Sequence, residues 1–264
     1  MSSRYETLLV DEVSPRVMQV TLNRPHVRNA LNTQMGRELR ELFLPLKFTP
    51  GDWRGIVVTG SGVQAFCSGG DLKERRGMSD HDWRLQHAIF EEAYYAIMDC
   101  TVPVIAAVNG AAYAGGCELA LACDFIYASA EARFALTEVT LGIMPGAGGT
   151  QNLPRAMGER RAKEIILSGT PFSAQQAFDW GMVNAVHAPH EVLPAALATA
   201  AKIASNAPIS VQQAKKAIHY GLQGDLRSGL VLEVQAYERM IPTEDRREGI
   251  AAFNEKRPPK FVGR

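Results

Sequence analysis

The stretch Val104-Ile105-Ala106-Ala107-Val108-Asn109-Gly110-Ala111-Ala112-Tyr113-Ala114-Gly115-Gly116-Cys117-Glu118-Leu119-Ala120-Leu121-Ala122 decides the fold class. Val104–Val108, stopped by Asn109-Gly110, reads as a short buried strand. Gly115-Gly116 then opens an apolar helix beginning near Gly116. A helix N-terminus presents free N–H groups and the positive end of a dipole, a suitable place to stabilise an oxyanion. Glu118 falls in the first turn of that helix. At a surface it would merely complement the dipole, for under about 1 kcal/mol. Beside Leu119, Leu121 and Ala122 the helix reads as buried, and a buried carboxylate is costly without a role or a partner.

Working outward, Val17–Leu22, Ile56–Thr59, Phe125–Ala128 and Arg133–Leu136 read as further strands. Met35–Leu46 carries Leu39, Leu42, Phe43 and Leu46 on one helical face, and Asp82–Met98 is a second helical stretch. Strands alternating with helices predict an α/β architecture. Ser173-Ala174-Gln175-Gln176 is a capping-box start, with Gly181 as its stop. From about Glu191 the chain reads as helices punctuated by Pro208 and Pro242, with Thr243 as an N-cap before Glu244 and Asp245. The expected organisation is a βα core over residues 1–195 and a helical region over 196–264. No fixed-period repeat is visible. The basic tail Lys256–Lys260 reads as an extended, solvated end.

The 264 residues include 28 Lys+Arg and 28 Asp+Glu, so the formal net charge is zero. That balance argues against a dedicated nucleic-acid or membrane-surface protein. Cys67, Cys100, Cys117 and Cys123 form no CxxC pair and no zinc-spaced cluster, so they read as small buried apolar residues in a reducing compartment. Met1–Glu6 shows no basic and apolar leader pattern. Val102–Cys123 is too interrupted for a membrane span. These readings predict a cytoplasmic protein.

Two more glycine-rich segments border candidate chemistry. Phe66-Cys67-Ser68-Gly69-Gly70-Asp71-Leu72-Lys73 lets the backbone approach a ligand, with Asp71 able to cap a following helix. Pro145-Gly146-Ala147-Gly148-Gly149-Thr150 follows Glu138 and matches neither a Walker loop nor a dinucleotide fingerprint. Two carboxylates beside loops able to bind an oxyanion or water suggest general acid–base chemistry. Spacing alone does not bring Glu118 and Glu138 together. His81, His87, His187, His190 and His219 fall in no motif. Trp83, Phe90, Tyr94 and Tyr95 read as core packing rather than pocket lining.

In this order and spacing, the segments resemble the crotonase superfamily, also called the enoyl-CoA hydratase/isomerase family. The resemblance spans nearly the whole chain, from Leu22-Asn23-Arg24-Pro25 and Asn29-Ala30-Leu31 through Ala65–Lys73, Pro103–Asp124 and Phe134–Thr150 to Asp245–Gly249 and Phe253–Arg257. It implies a spiral of ββα units with a helical C-terminal region that builds trimers or dimers of trimers. It implies an enoyl-CoA hydratase with Glu118 and Glu138 as catalytic residues, Glu138 donating a proton and Glu118 orienting the water. The thioester oxygen is expected between the N–H groups of Gly70, which stands where alanine is common, and Gly115. His26, Arg28, Ser68, Asp71, Leu72, Lys73, Gly146, Phe253 and Lys256 are the implied substrate and coenzyme A contacts, the last two reaching a neighbouring subunit. No metal or other cofactor is implied, since coenzyme A enters with the substrate.

Leu136-Thr137 replaces the Gln-Pro often found before the second glutamate, which leaves the acyl group open. Asp71–Arg75 and the Ile241–Pro259 ending are similar to a 3-methylglutaconyl-CoA hydratase branch, an alternative substrate assignment. A Δ3,Δ2-enoyl-CoA isomerase generally needs only the second glutamate, so Glu118 favours hydration. One member of that branch binds RNA through a lysine-rich first helix. Here Leu31–Lys47 mixes Arg37 and Arg40 with Glu38 and Glu41 and lacks the clustered charge that phosphate binding needs.

Overall fold

The computed structural model describes residues 4–264; residues 1–3, part of the stretch Met1–Glu6 read above for a leader pattern, lie outside the described residues. In chain order the elements are β1 (Leu8–Ser14), β2 (Val17–Leu22), α1 (Thr33–Phe43), β3 (Gly55–Gly60), β4 (Ala65–Cys67), α2 (Leu72–Arg75), α3 (Asp80–Met98), β5 (Val104–Val108), β6 (Ala111–Tyr113) and α4 (Gly115–Ala122). There follow β7 (Phe125–Ser129), β8 (Arg133–Ala135), α5 (Gly149–Met157), α6 (Glu159–Ser168), β9 (Phe172–Ser173), α7 (Ala174–Asp179), β10 (Ala185–His187), α8 (Val192–Ala204), α9 (Pro208–Gly221), α10 (Leu226–Glu238) and α11 (Glu244–Asn254).

The strands form two sheets, ordered β1-β2-β3-β5-β7-β10 and β4-β6-β8-β9. From β3 to β8 the chain alternates between them, so each pair of strands adds one strand to each sheet. All neighbours from β2 to β10 in the larger sheet are parallel, as are β4-β6-β8. This is the expected spiral of ββα units. The larger sheet is buried on both faces, which is why its strands read as unbroken apolar runs. Ile56, Val58, Val104, Ala106 and Val108 enter the main core, while Val17, Val57, Ile105 and Ala107 meet Ala196, Ala200 and Ala204 of α8. The helix α8 thus crosses residue 195 and covers the sheet from behind.

Two local readings change. The helix expected over Met35–Leu46 ends at Phe43, and Leu44–Lys47 is a 3-10 turn. Pro45 sits in its first turn, lacking the N–H that a continued α-helix would use. The tail Lys256–Lys260 is exposed, as expected, but the chain around it is also tethered. Asp245, 2% exposed, accepts the N–H groups of Val262 and Gly263, and Glu248 accepts the Arg257 guanidinium and the Lys260 N–H. No helix among the described residues is long and apolar enough to cross a membrane.

Candidate active site

Strand β4 delivers Ser68–Asp71 and strand β6 delivers Ala114–Gly115 to the same end of the small sheet. The first loop is hung on the early Asn23–Leu31 segment. Gly69 O accepts from Leu31 N, Asp71 N donates to Leu31 O, and Ser68 N donates to Arg28 O. Arg24 pairs with Asp71 at 2.9 Å, and Asp71 caps α2 through the N–H groups of Lys73 and Glu74. These bonds leave the Gly70 N–H out.

The two loops press together. A Cβ on Gly69 would lie 2.8 Å from both Ala114 Cβ and Tyr113 O. Ala114 itself takes φ 49°, a left-handed conformation costly for a side chain with a Cβ. That turn starts α4 at Gly115, whose N–H is among the free groups of the first helical turn. The buried Tyr94 hydroxyl donates to Gly115 O at 2.5 Å and holds the helix start in place.

Beneath the loops lies a cavity of about 740 Å³. Among the implied residues, Ser68, Gly70, Leu72, Gly115, Glu118, Glu138 and Gly146 line it. Asp71 serves the loop's ion pair and cap. His26, Arg28 and Lys73 are exposed outside the lining, as are Phe253 and Lys256. Phe90 and Tyr94 pack in the core as expected and also border the cavity, Trp83 lines it, and Tyr95 lies outside it, half exposed. One helix, α3, uses adjoining faces for core and cavity. His87 is also on the wall, its ring so close to Gly146 that a Cβ there would fall 2.5 Å from Cε1. Arg75 at the end of α2 is a further lining residue, noted in the sequence only as the end of the Asp71–Arg75 stretch.

The two glutamates are seated differently. Glu118 is 3% exposed, and its Oε1 accepts the N–H groups of Ala147 and Gly149, both at 2.8 Å. Gly149 must be glycine for this, since a Cβ would fall 2.9 Å from that oxygen. Glu138 opens a 3-10 turn just after β8 and is 6% exposed, and neither of its carboxyl oxygens has a hydrogen-bond partner among the described residues. Burial raises both pKa values. For Glu118 the two N–H bonds oppose the rise. Glu138 reaches about 7, through burial first, with its own backbone N–H opposing and the nearby Glu118 charge adding. Near neutrality Glu138 is therefore still partly protonated, while at Glu118 two N–H donors favour the anion against burial.

Alternating strands in two sheets, with paired buried glutamates under two glycine turns, define a crotonase-type protein. The chain belongs to the enoyl-CoA hydratase/isomerase family, whose model matches residues 12–264. It is similar to an enoyl-CoA hydratase from Bacillus anthracis of known crystal structure, at 44% identity and a TM-score of 0.96, covering 98% of this chain and 100% of that one. It is 42% identical over 252 residues to the 2,3-dehydroadipyl-CoA hydratase of Escherichia coli, covering 94% of this chain and 96% of that one. It is 35% identical over 260 residues to the crotonyl-CoA hydratase of Syntrophomonas wolfei, covering 98% and 99%.

Proposed function

We propose that this chain is a hydro-lyase that adds water across the 2,3 double bond of a 2-enoyl-CoA, giving a 3-hydroxyacyl-CoA. The contrast between Glu118 and Glu138 carries this reading. The thioester oxygen sits between the N–H groups of Gly70 and Gly115, which draw electron density from C3. The Glu118 carboxylate takes a proton from water as the water oxygen bonds to C3. The protonated Glu138 delivers its proton to C2, and a net transfer from Glu118 to Glu138 resets the pair. The addition is redox-neutral and the activating groups are backbone N–H donors, so no metal or redox cofactor is required.

Hydration of crotonyl-CoA, followed by loss of the conjugated-thioester absorbance, tests this. Turnover by the wild type that collapses in both Glu118→Gln and Glu138→Gln supports the two-glutamate hydratase. Turnover that survives in Glu118→Gln refutes it and fits an isomerase-type site.

The assembly we propose is a homotrimer or a dimer of trimers. Leu222, Leu226, Val231, Val234 and Tyr237 on and between α9 and α10 are exposed apolar residues suited to a second copy. A cytoplasmic location fits four buried free cysteines. A role in RNA binding finds no support in α1, where Arg40 pairs with Glu92, Lys47 just beyond it pairs with Asp99, and Glu38 is buried.

A further inference from the structure

Helix α4 has no side-chain cap at its start. Its first residue, Gly115, is instead held from two sides. On the N-terminal side, Ala114 O accepts the N–H groups of Cys117 and Glu118 at 2.9 and 3.1 Å. Ala114 O and the Gly115 N–H belong to one peptide group, and a carbonyl that accepts hydrogen bonds polarises its own N–H. Ala114 N donates to Ala135 O at 2.8 Å, which ties the turn to β8. On the C-terminal side, Gly115 O accepts the Tyr94 hydroxyl at 2.5 Å.

Tyr94 is a firm anchor on a different element, α3. It is 1% exposed and belongs to the main core. Burial holds its phenol well above the usual tyrosine range, so the hydroxyl keeps its proton and stays a donor. The space around residue 115 is filled. A Cβ there would lie 3.2 Å from Leu31 Cδ1 and 3.4 Å from Tyr94 Oη. Leu31 also carries the facing loop, because its N–H donates to Gly69 O and its carbonyl accepts from Asp71 N. The turn being held is strained, with Ala114 at φ 49° and ψ −125°. Such a conformation persists only where the surrounding structure imposes it.

We infer that Tyr94 is a positioning residue, whose hydroxyl fixes Gly115 O and thereby aims the Gly115 N–H at the thioester oxygen. It acts through Gly115. Without the hydroxyl the strained turn is free to relax, the Gly115 N–H turns away, and Gly70 is left as the aligned donor. Such a donor matters most while negative charge builds on the oxygen, so turnover suffers more than ground-state binding. This role rests on the proposed use of the Gly115 N–H as an oxyanion donor. The polarisation that the N–H produces is measurable without hydration.

The experiment uses butyryl-CoA labelled with ¹³C at the thioester carbon. This saturated thioester has no double bond to hydrate, and isotope-difference infrared spectra isolate its carbonyl stretch. Wild type should lower the stretching frequency of the bound thioester relative to the free one. Tyr94→Phe should lose a large part of that lowering. It should also reduce kcat for crotonyl-CoA by about 10- to 100-fold, with KM moving less than about threefold. Fluorotyrosine in place of Tyr94, a stronger donor of nearly the same shape, should keep both the lowering and kcat. Ile97→Val removes a buried methylene from α3 away from the cavity and controls for general loosening of the helix. It should keep the full lowering. An unchanged frequency in Tyr94→Phe, whatever its kcat, or an equal loss in Ile97→Val, overturns the assignment. No lowering in the wild type removes the oxyanion hole and this role with it. Lowering that depends on Tyr94, without hydration of crotonyl-CoA, would leave the positioning role standing and remove the hydratase reading.

Discussion

Glu118 and Glu138 are both buried glutamates, yet the backbone treats them differently, and in the proposed hydration that difference assigns them opposite halves of the addition. Glu118 stands in the first turn of α4, where Ala147 and Gly149 point two N–H groups at one oxygen. Glu138 stands on a 3-10 turn, and among the described residues no neighbouring group points a donor at its carboxyl oxygens. Burial alone makes a carboxyl group a poor anion; donors restore the anion. In the proposed mechanism the difference between base and acid is therefore a difference in backbone N–H supply, not in side-chain identity.

The strongest way to break that comparison is to remove each carboxyl in turn. Glu118→Gln and Glu138→Gln are each expected to lower kcat by about 10²–10⁴-fold. The double variant should fall little further, because the two act as one unit. Crotonyl-CoA kinetics check both points.

Next comes the seat of Glu118. Gly149→Ala places a Cβ 2.9 Å from Glu118 Oε1 and 3.0 Å from Pro145 Cβ, forcing the carboxylate out of line. We expect a loss of about 10²-fold in kcat, the scale of a misplaced reacting group, with the fold retained by circular dichroism.

The protonation of Glu138 supplies a third test. Activity should fall through an alkaline limb near pH 7, where Glu138 loses its proton, by about tenfold per pH unit. The same shift has a stability sign. A folded-state pKa above the unfolded value favours folding below the usual carboxylate range and loses that contribution as pH rises through about 7. Glu138→Gln should therefore be more stable than wild type above pH 7, by up to about 3 kcal/mol, with this advantage vanishing near pH 4. Urea denaturation at both pH values measures it.

The smallest effect is expected at the end of the Glu138 turn. Gly142 takes φ 75° with nothing crowding its missing Cβ. Gly142→Ala should cost about 1 kcal/mol in stability through backbone strain, while changing kcat only a few-fold.

Much of this was legible in the chain. The strands β2, β3, β5 and β7 announced themselves because a sheet buried on both faces needs continuous apolar runs. The capping box at Ser173 and the N-cap at Thr243 stand where the sequence puts them. What escaped was the short and the nonlocal. Strands β4, β6 and β9 have two or three residues, too few to show alternation. The repeated strand pairing left no fixed period because β3, β5 and β7 start at residues 55, 104 and 125. Glu118 and Glu138 were paired by the family resemblance and not by their spacing, and the sheet topology brings them to one cavity. His87, Trp83, Phe90 and Arg75 were invisible as lining because α2 and α3 have no signal separating a cavity face from a core face. Asp245, read only as a first-turn acid, also captures the C-terminal tail through two N–H groups eighteen or fewer residues away.

The most direct test is a pH titration of glutamate side-chain carboxyl carbons by ¹³C NMR in the wild type and Glu138→Gln. A carboxyl resonance that titrates near 7 in the wild type and vanishes in Glu138→Gln is the predicted result. If the resonance lost in Glu138→Gln titrates in the ordinary carboxylate range, Glu138 is not the stored acid, and the division of labour between the two glutamates is wrong.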